Sequence, residues 1–381
     1  MRIAICGMGL RATHVLALMK NNMPEIEFVG YTDPNSVNHD WQGGGDIPAF
    51  DSVDEMLLRA TPDLLFVASP NYMHLEHIRK GLEAGVRIFA EKPVVTTLED
   101  TFALAKLLQK HGTDRVIIGL VLRYSQHVRD LQKALDAGEI GDIASIEASE
   151  YIAPYHGAFF MRDWRRKDEY SGGFMLEKCC HDLDVYNMVT GSRPKRVASF
   201  GGRRSFLPGN APAKGVDDSV YHVKESRWNS VDDPFTSDGD IVDNQTAIIQ
   251  YESGANMTFH TNINVPDEHR RFCVMGAKGM AEGDFVRGYL KVTDARTGNR
   301  LADIDYNDGD NKLTGAHYGA DEMMVKDVVA HLRGGNESLP VGVVDAMVAG
   351  IVAIALDEAR EYSKVVDLTP YWERFDSYQL Q

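Results

Sequence analysis

Cysteine is scarce in this chain, with four in 381 residues, at Cys6, Cys179, Cys180 and Cys273. No CxxC spacing occurs among them, and adjacent cysteines seldom bridge each other, so neither a disulfide framework nor a zinc site is indicated. Buried thiols are the default reading. Long apolar runs are also missing. The first hydrophobic stretch meets a glycine turn at Gly7, too soon for a signal-peptide core, and no later run reaches bilayer-spanning length. A cytoplasmic protein is expected. Positive charge is in deficit, 40 Lys plus Arg against 56 Asp plus Glu, for a formal charge of −16. Such a surface repels phosphates and anionic lipid, so neither nucleic acid nor membrane is an expected partner. No internal repeat or low-complexity tract appears. The Asp-, Ser-, Gly- and Pro-rich stretch Gly201 to Asp243 reads as a long loop over or beside a site. Its acids, including Asp217, Asp218, Asp232 and Asp233, follow no calcium-loop spacing, and no metal is expected.

What is present is apolar material for two cores, 44% of the chain, and a change of texture midway. Arg2 to Cys6 is β-like, Gly7-Met8-Gly9-Leu10-Arg11-Ala12 follows, and His14 to Lys20 has helical apolar spacing. A strand-like Glu27 to Thr32 then ends in Asp33, 26 residues after Gly7, which completes a dinucleotide-binding βαβ pattern. Gly7 permits the tight turn, Gly9 lets a pyrophosphate approach, and Ala12 supplies the small residue needed for close packing. Asp33 would accept the adenosine ribose hydroxyls, favouring NAD over NADP, although Arg11 could still approach a 2′-phosphate. Strands near Asp63 to Ser69, Val86 to Ala90 and Val116 to Val121 alternate with helices over Leu75 to Ala84 and Leu98 to His111, implying a parallel sheet covered on both faces.

A helix from Val128 to Ala137 leads to Gly138 and Gly141, and the boundary is placed near Arg123 to Tyr124, giving domains 1–123 and 124–381. Beyond it lie β-like runs at Ile143 to Ile152, Arg196 to Phe200, Thr246 to Tyr251 and Asn256 to Asn262. They suggest a large, mostly antiparallel sheet with one open face. A helix over Phe174 to Thr190 interrupts them, bracketed by Gly172-Gly173 and Gly191. Helices near Glu322 to Leu332 and Val343 to Tyr362 are expected to pack back on the first domain. The fold class is therefore α/β: an N-terminal Rossmann domain joined to a C-terminal α+β domain.

Two places carry chemistry. Glu91-Lys92-Pro93 ends an apolar strand at the crevice where such sheets bind ligands, and a lysine held there between apolar walls can exchange a proton near neutral pH. The Lys92–Pro93 bond is a candidate for cis geometry. On the interrupting helix, Glu177, His181 and Asp184 fall at i, i+4 and i+7 on one face, which is costly unless solvated or met by a ligand. Between 151 and 170, Tyr155, His156, Phe159, Phe160, Trp164, Arg165, Arg166 and Lys167 offer aromatic surface suited to a sugar ring and cations suited to an anion; core packing and ordinary surface charge explain them equally well. Lys178 is expected to point outward, with a place in the pocket as the alternative.

Gly7-Met8-Gly9, Ser69-Pro70-Asn71 with His74, Ala84-Gly85, Glu91-Lys92-Pro93, Arg123-Tyr124, Gly138-Glu139-Ile140-Gly141, Gly172-Gly173 and His181-Asp182-Leu183-Asp184 stand in an order and spacing that resembles the Gfo/Idh/MocA family. That family is named for glucose-fructose oxidoreductase, inositol dehydrogenase and a rhizopine-catabolism protein. The likeness runs from residue 1 to about 200, with a weaker match at Gly276 to Gly283. It implies an NAD-dependent oxidoreductase acting on a sugar, cyclic polyol or derivative, with Lys92 beside the nicotinamide, His181 exchanging the substrate's hydroxyl proton and Glu91 helping to position the cofactor. Ser69, Asn71 and His74 join Gly7, Met8, Gly9, Leu10, Arg11, Asp33, Glu91 and Lys92 as expected cofactor residues. Arg123, Tyr124, Tyr155, Trp164, Arg165, Lys178 and Asp184 are expected at the substrate. The family commonly has aspartate four residues before the histidine; here it is Glu177, placed either to orient His181 or to reach a different hydroxyl. A redox-neutral hydrolase or lyase that keeps its NAD, and a sensor without catalysis, are the alternatives; retention of Lys92 and His181 argues against the latter. A homodimer or homotetramer through the open sheet is expected.

Overall fold

The computed structural model describes residues 1–35, 46–226, 228–308, 312–335 and 338–380. Its first layer alternates β1 (Arg2–Cys6), α1 (Leu10–Asn22), β2 (Glu27–Thr32), α2 (Val53–Ala60), β3 (Leu64–Val67), α3 (His74–Glu83), β4 (Arg87–Ala90), α4 (Leu98–His111) and β5 (Val116–Ile118). The strands pair in parallel in the order β2-β1-β3-β4-β5. Helices cover both faces, so every residue of β3 is buried, which is why these strands read as unbroken apolar runs. Strand order reverses between β1 and β3, opening a crevice at their carboxyl ends. Gly7 turns there with φ +85°, and a Cβ would fall 2.7 Å from the Ala68 carbonyl oxygen, so no larger residue fits. β5 is shorter than the expected Val116 to Val121. Gly119 lies where a Cβ would meet the Glu91 carboxylate at 3.0 Å, and the chain then coils into a 3₁₀ turn at Val121–Tyr124.

The second layer follows with α5 (Gln126–Asp136), β6 (Ile143–Tyr151), α6 (Pro154–Arg162), α7 (Asp168–Ser171), α8 (Phe174–Thr190), β7 (Pro194–Gly202), β8 (Asn244–Tyr251), β9 (Asn256–Asn262), β10 (His269–Gly276), β11 (Gly279–Asp284), β12 (Tyr289–Asp294), β13 (Arg300–Asp305), α9 (Ala320–Leu332), α10 (Val343–Glu361), β14 (Val366–Asp367) and α11 (Thr369–Asp376). Nine strands join in the order β13-β12-β11-β10-β6-β9-β8-β7-β14, antiparallel except for the β6–β9 pair. The inner face is covered, and α10 packs on both α8 and β7. The outer face is open, as the strict buried/exposed alternation of β8 records. α8 matches the expected span because Gly172, Gly173 and Gly191, all at positive φ, stop it at both ends.

The segment between β6 and α8 is not a bare linker. Pro154 stands at the first turn of α6, where its fixed φ and missing N–H suit a helix start. The long segment before β8 is packed around Asp243, whose carboxylate accepts the amides of Arg204, Ser205 and Phe206 at 2.9, 2.7 and 2.9 Å. α9 lies against α1, and α10 against α4, so the last helices close back on the parallel sheet.

Candidate active site

At the crevice, Gly9 is the N-cap of α1 and no side chain caps the helix. A Cβ at Gly9 would meet nothing within 4 Å. Open space before uncapped N–H donors is what a pyrophosphate needs, so this turn fits a dinucleotide. Asp33, just past β2, accepts the Met8 amide at 2.8 Å and so braces the turn while keeping lone pairs free. Leu10 is exposed at the mouth. Arg11 corrects the expectation of a 2′-phosphate contact. Its guanidinium turns inward and holds Glu91 Oε1 and Asp321 Oδ2, each at 2.8 Å, because both carboxylates are buried and need a cation. Ser69 Oγ bonds to His77 Nδ1 at 2.9 Å, and the buried His74 ring bridges the carbonyls of Ser69 and Pro93 at 2.9 and 2.8 Å. These residues tie the β3 and β4 loops together beneath the crevice.

Lys92 lies at the end of β4, and the Lys92–Pro93 peptide is cis. Its ammonium donates to the Glu177 carbonyl and lies 3.4 Å from Glu177 Oε1. The same carboxylate accepts Arg165 Nε at 2.8 Å and Asn71 Nδ2 at 2.6 Å. Asn71, expected at the cofactor, thus braces the carboxylate instead. Burial raises the Glu177 carboxyl, but Lys92 and Arg165 outweigh it and hold it below the usual range, so it is ionised. His181, one turn further along α8, is buried and its Nδ1 has no partner among the described residues. Burial, with Lys92 and Arg270 nearby, pushes its imidazole well below the ordinary value. It is neutral at pH 7, with a ring nitrogen open to a hydrogen-bonding partner.

Lys178 does not point outward. Its side chain is 13% exposed and pairs at 3.3 Å with Glu150 of β6, a buried carboxylate that also meets Arg270. Arg270 in turn grips Asp182 at 2.8 and 2.6 Å. α8 is pinned to β6 and β10 of the sheet through Lys178 and Asp182, so there is little solvent for a lysine to reach. Arg123 and Asp184 are corrected as well. They form a buried two-pronged pair at 2.7 and 2.6 Å, and Arg123 also donates to the Pro340 carbonyl, which leaves little for a substrate. Tyr124 is fully buried, and its hydroxyl has no partner among the described residues. Trp164 lies under the Arg165 guanidinium at 4.3 Å, and Tyr155 is partly open.

Sequence reasoning missed His317 and Asp321. The His317 ring lies 5.9 Å from that of His181, and its Nδ1 is 3.1 Å from Asp321 Oδ2. His14 Nε2 approaches the same oxygen at 3.2 Å. Burial raises the Asp321 carboxyl, yet His317 and Arg11 hold it far below the usual range. His317 and Tyr318 both sit at left-handed φ, +48° and +60°, a strain of about 1–3 kcal/mol each that marks functional sites. The glycines flanking them, Gly315 and Gly319, were the available signal.

The model of an oxidoreductase family with an NAD-binding Rossmann fold matches residues 1–120, and that of the Gfo/Idh/MocA C-terminal domain matches residues 128–282. The chain belongs to the Gfo/Idh/MocA family. Among similar proteins, YteT of Bacillus subtilis is 26% identical over 74% of this chain and 76% of its own length. The 2,7-anhydro-N-acetylneuraminate hydratase of Mediterraneibacter gnavus is 25% identical over 63% of this chain and 56% of its own. The scyllo-inositol dehydrogenase of Lactobacillus casei, solved with NAD(H) and scyllo-inositol, shares the fold with a TM-score of 0.71, at 22% identity over 96% of this chain and 98% of that one. As a Gfo/Idh/MocA oxidoreductase, the chain builds its site from both layers. Among its described residues no helix is long and apolar enough to cross a membrane, and no cluster of three or more His, Cys, Asp or Glu is arranged to hold a metal ion.

Proposed function

We propose that the protein is an NAD-dependent dehydrogenase or reductase acting on a hydroxyl-bearing carbon of a sugar, cyclic polyol or close derivative. The observation that carries this reading is the Lys92–Glu177 contact beside an unpartnered His181, at the end of the crevice that Gly9 keeps open. Gly7, Met8, Gly9 and Leu10 would hold the pyrophosphate, Asp33 the adenosine ribose, and Lys92 would border the nicotinamide. The bound nicotinamide supplies hydride transfer. Lys92 would hydrogen-bond the reacting oxygen, and His181 would accept its proton; Glu177 fixes the position of the ammonium. Arg165 and Asn71 hold Glu177 in place, and the His317 ring lies 5.9 Å from that of His181. NAD is preferred over NADP because Asp33 repels a 2′-phosphate, and Arg11, the cation that would counter it, is committed to Glu91 and Asp321. A chain divided into domains 1–123 and 124–381, and two or four such chains joined through the open sheet, complete the reading.

The test is reduced nicotinamide formed from NAD over a panel of sugars and polyols, with Lys92→Met beside the wild type. Loss of one hydrogen-bond donor aimed at the reacting oxygen lowers turnover by about 10²–10³-fold. Wild-type turnover in Lys92→Met sinks the assignment. A redox-neutral elimination or hydration is the second reading, favoured by the likeness to a protein named as a hydratase. Substrate consumed without net reduced NAD, but only in NAD-loaded protein, would select it.

A further inference from the structure

Lys224 stands apart from the other cations around the site. Lys92 and Arg165 share Glu177, and Arg165 also pairs with Asp163 at 2.7 Å; Lys178 and Arg270 share Glu150, and Arg270 also holds Asp182. Four cations thus face four carboxylates. Lys224, by contrast, makes no ion pair among the described residues. Its ammonium lies 5.3 Å from the centre of the Tyr155 ring and 5.7 Å from that of Phe159. The Arg165 guanidinium lies 5.6 Å from that same Phe159 ring, so one aromatic side chain joins Lys224 to the Glu177 cluster.

The position of Lys224 is built. Its carbonyl accepts from Arg162 Nη2 at 2.5 Å, Ser226 Oγ donates to Asp163 at 2.6 Å, and Val231 donates to the Arg162 carbonyl at 2.9 Å. These bonds fasten the segment to the end of α6, directly before Arg165. Burial, then the charge of Lys178, lower the Lys224 ammonium to about 8, with Arg165 adding to this and Glu268 opposing it. A half-buried cation held beside other cations, with Glu268 acting only through space and no carboxylate within ion-pair distance among the described residues, is unfavourable in the empty site and becomes favourable when an anion arrives.

We propose that the substrate is a carboxylated sugar or cyclic polyol, whose carboxylate pairs with Lys224 beside Tyr155 and Phe159 while its hydroxyl reaches Lys92 and His181. This rests on the hydride-transfer reading for the reacting end, and on the Lys224 cluster alone for the charge. A carboxylate matches the one positive charge of Lys224; a phosphate monoester would bring nearly two negative charges against it.

Calorimetric titration of the NAD-loaded protein tests this with D-glucuronate and D-galacturonate, their neutral counterparts D-glucose and D-galactose, and D-glucose 6-phosphate. The uronates are expected to bind about tenfold or more tightly than the neutral sugars, the scale of one charge-assisted hydrogen bond. Lys224→Met should erase that margin and Lys224→Arg should keep most of it. Equal binding of acid and neutral sugars, no binding of either uronate, tighter binding of the phosphate, or a uronate margin that survives in Lys224→Met would each overturn the proposal. Reduced nicotinamide is read separately. Lys224-dependent uronate binding with no hydride transfer would sink the redox reading and leave the charge assignment standing.

Discussion

At the scale of single residues, charge placement decides what each side chain can do. The place of Asp33 was legible because it follows from spacing after a glycine turn, and its carboxylate does meet that turn at the Met8 amide. The commitment of Arg11 was not, because its partners Glu91 and Asp321 lie 80 and 310 residues away in sequence. Cofactor choice should hinge on this pair. Asp33→Ser removes the repulsion without supplying a cation, so the ratio of kcat/KM for NADP to that for NAD should rise about tenfold or more; an unchanged ratio would show that Asp33 does not read the ribose. His127 illustrates a different effect. It is fully buried against the rings of Phe285, Tyr306 and Tyr318, and burial lowers its imidazole from 6.5 to about 4. The fold keeps it neutral, so its stabilising contribution is present above pH 6.5 and lost as pH falls from there toward 4. Between pH 7 and pH 5 this amounts to roughly 2 kcal/mol. His127→Phe should lose visibly less stability over that interval in denaturant titrations, and an identical loss in both proteins would contradict the assignment.

Among the elements, α8 carries most of the site, and it was legible in its bounds but not in its surroundings. Glycines at both ends and the i, i+4, i+7 stripe are local signals. Which carboxylate meets which cation is set by β6, β10 and the 3₁₀ turn before α5, elements brought together only by the fold. Much of the sheet was hidden for a related reason. β11 reads Gly-Met-Ala-Glu-Gly-Asp, with few residues favoured in strands, and pairs because β10 and β12 flank it. The acids along α8 have separate roles, since Glu177 faces Lys92 whereas Asp184 anchors the helix to Arg123. Burial raises the Asp184 carboxyl to about 6 against the pull of Arg123, so the pair depends on its partner. Arg123→Met should therefore cost stability, about 3–5 kcal/mol as for one member of a buried pair removed. Turnover per folded molecule should stay within a few-fold of wild type. A variant that is stable but inactive would return Arg123 to the substrate.

For the whole molecule, a net charge of −16 sets copies of the chain against one another unless the contact is made where charge is sparse. The open face of the large sheet offers such a place. Phe200 is 70% exposed and Ile248 53%, and they sit on adjacent strands with Ala198 and Thr246 as cross-strand neighbours. Gln250, Thr258 and His260 continue the face without formal charge, His260 being held below its ordinary value by burial. Exposed apolar residues in a stretch of sheet bordered by Arg196 on one side and Glu147 on the other suit a two-fold pairing in which the same patch serves both copies. Sedimentation at micromolar protein should then give a dimer or tetramer, and added salt should favour it by screening the acidic remainder. Phe200→Glu with Ile248→Glu places four like charges at the contact of a dimer and should yield monomers whose thermal midpoint as isolated chains is little changed, because both side chains are already solvent-facing. A monomeric wild type would remove the sheet contact altogether, whereas an assembly indifferent to the double substitution would place the interface elsewhere on the molecule.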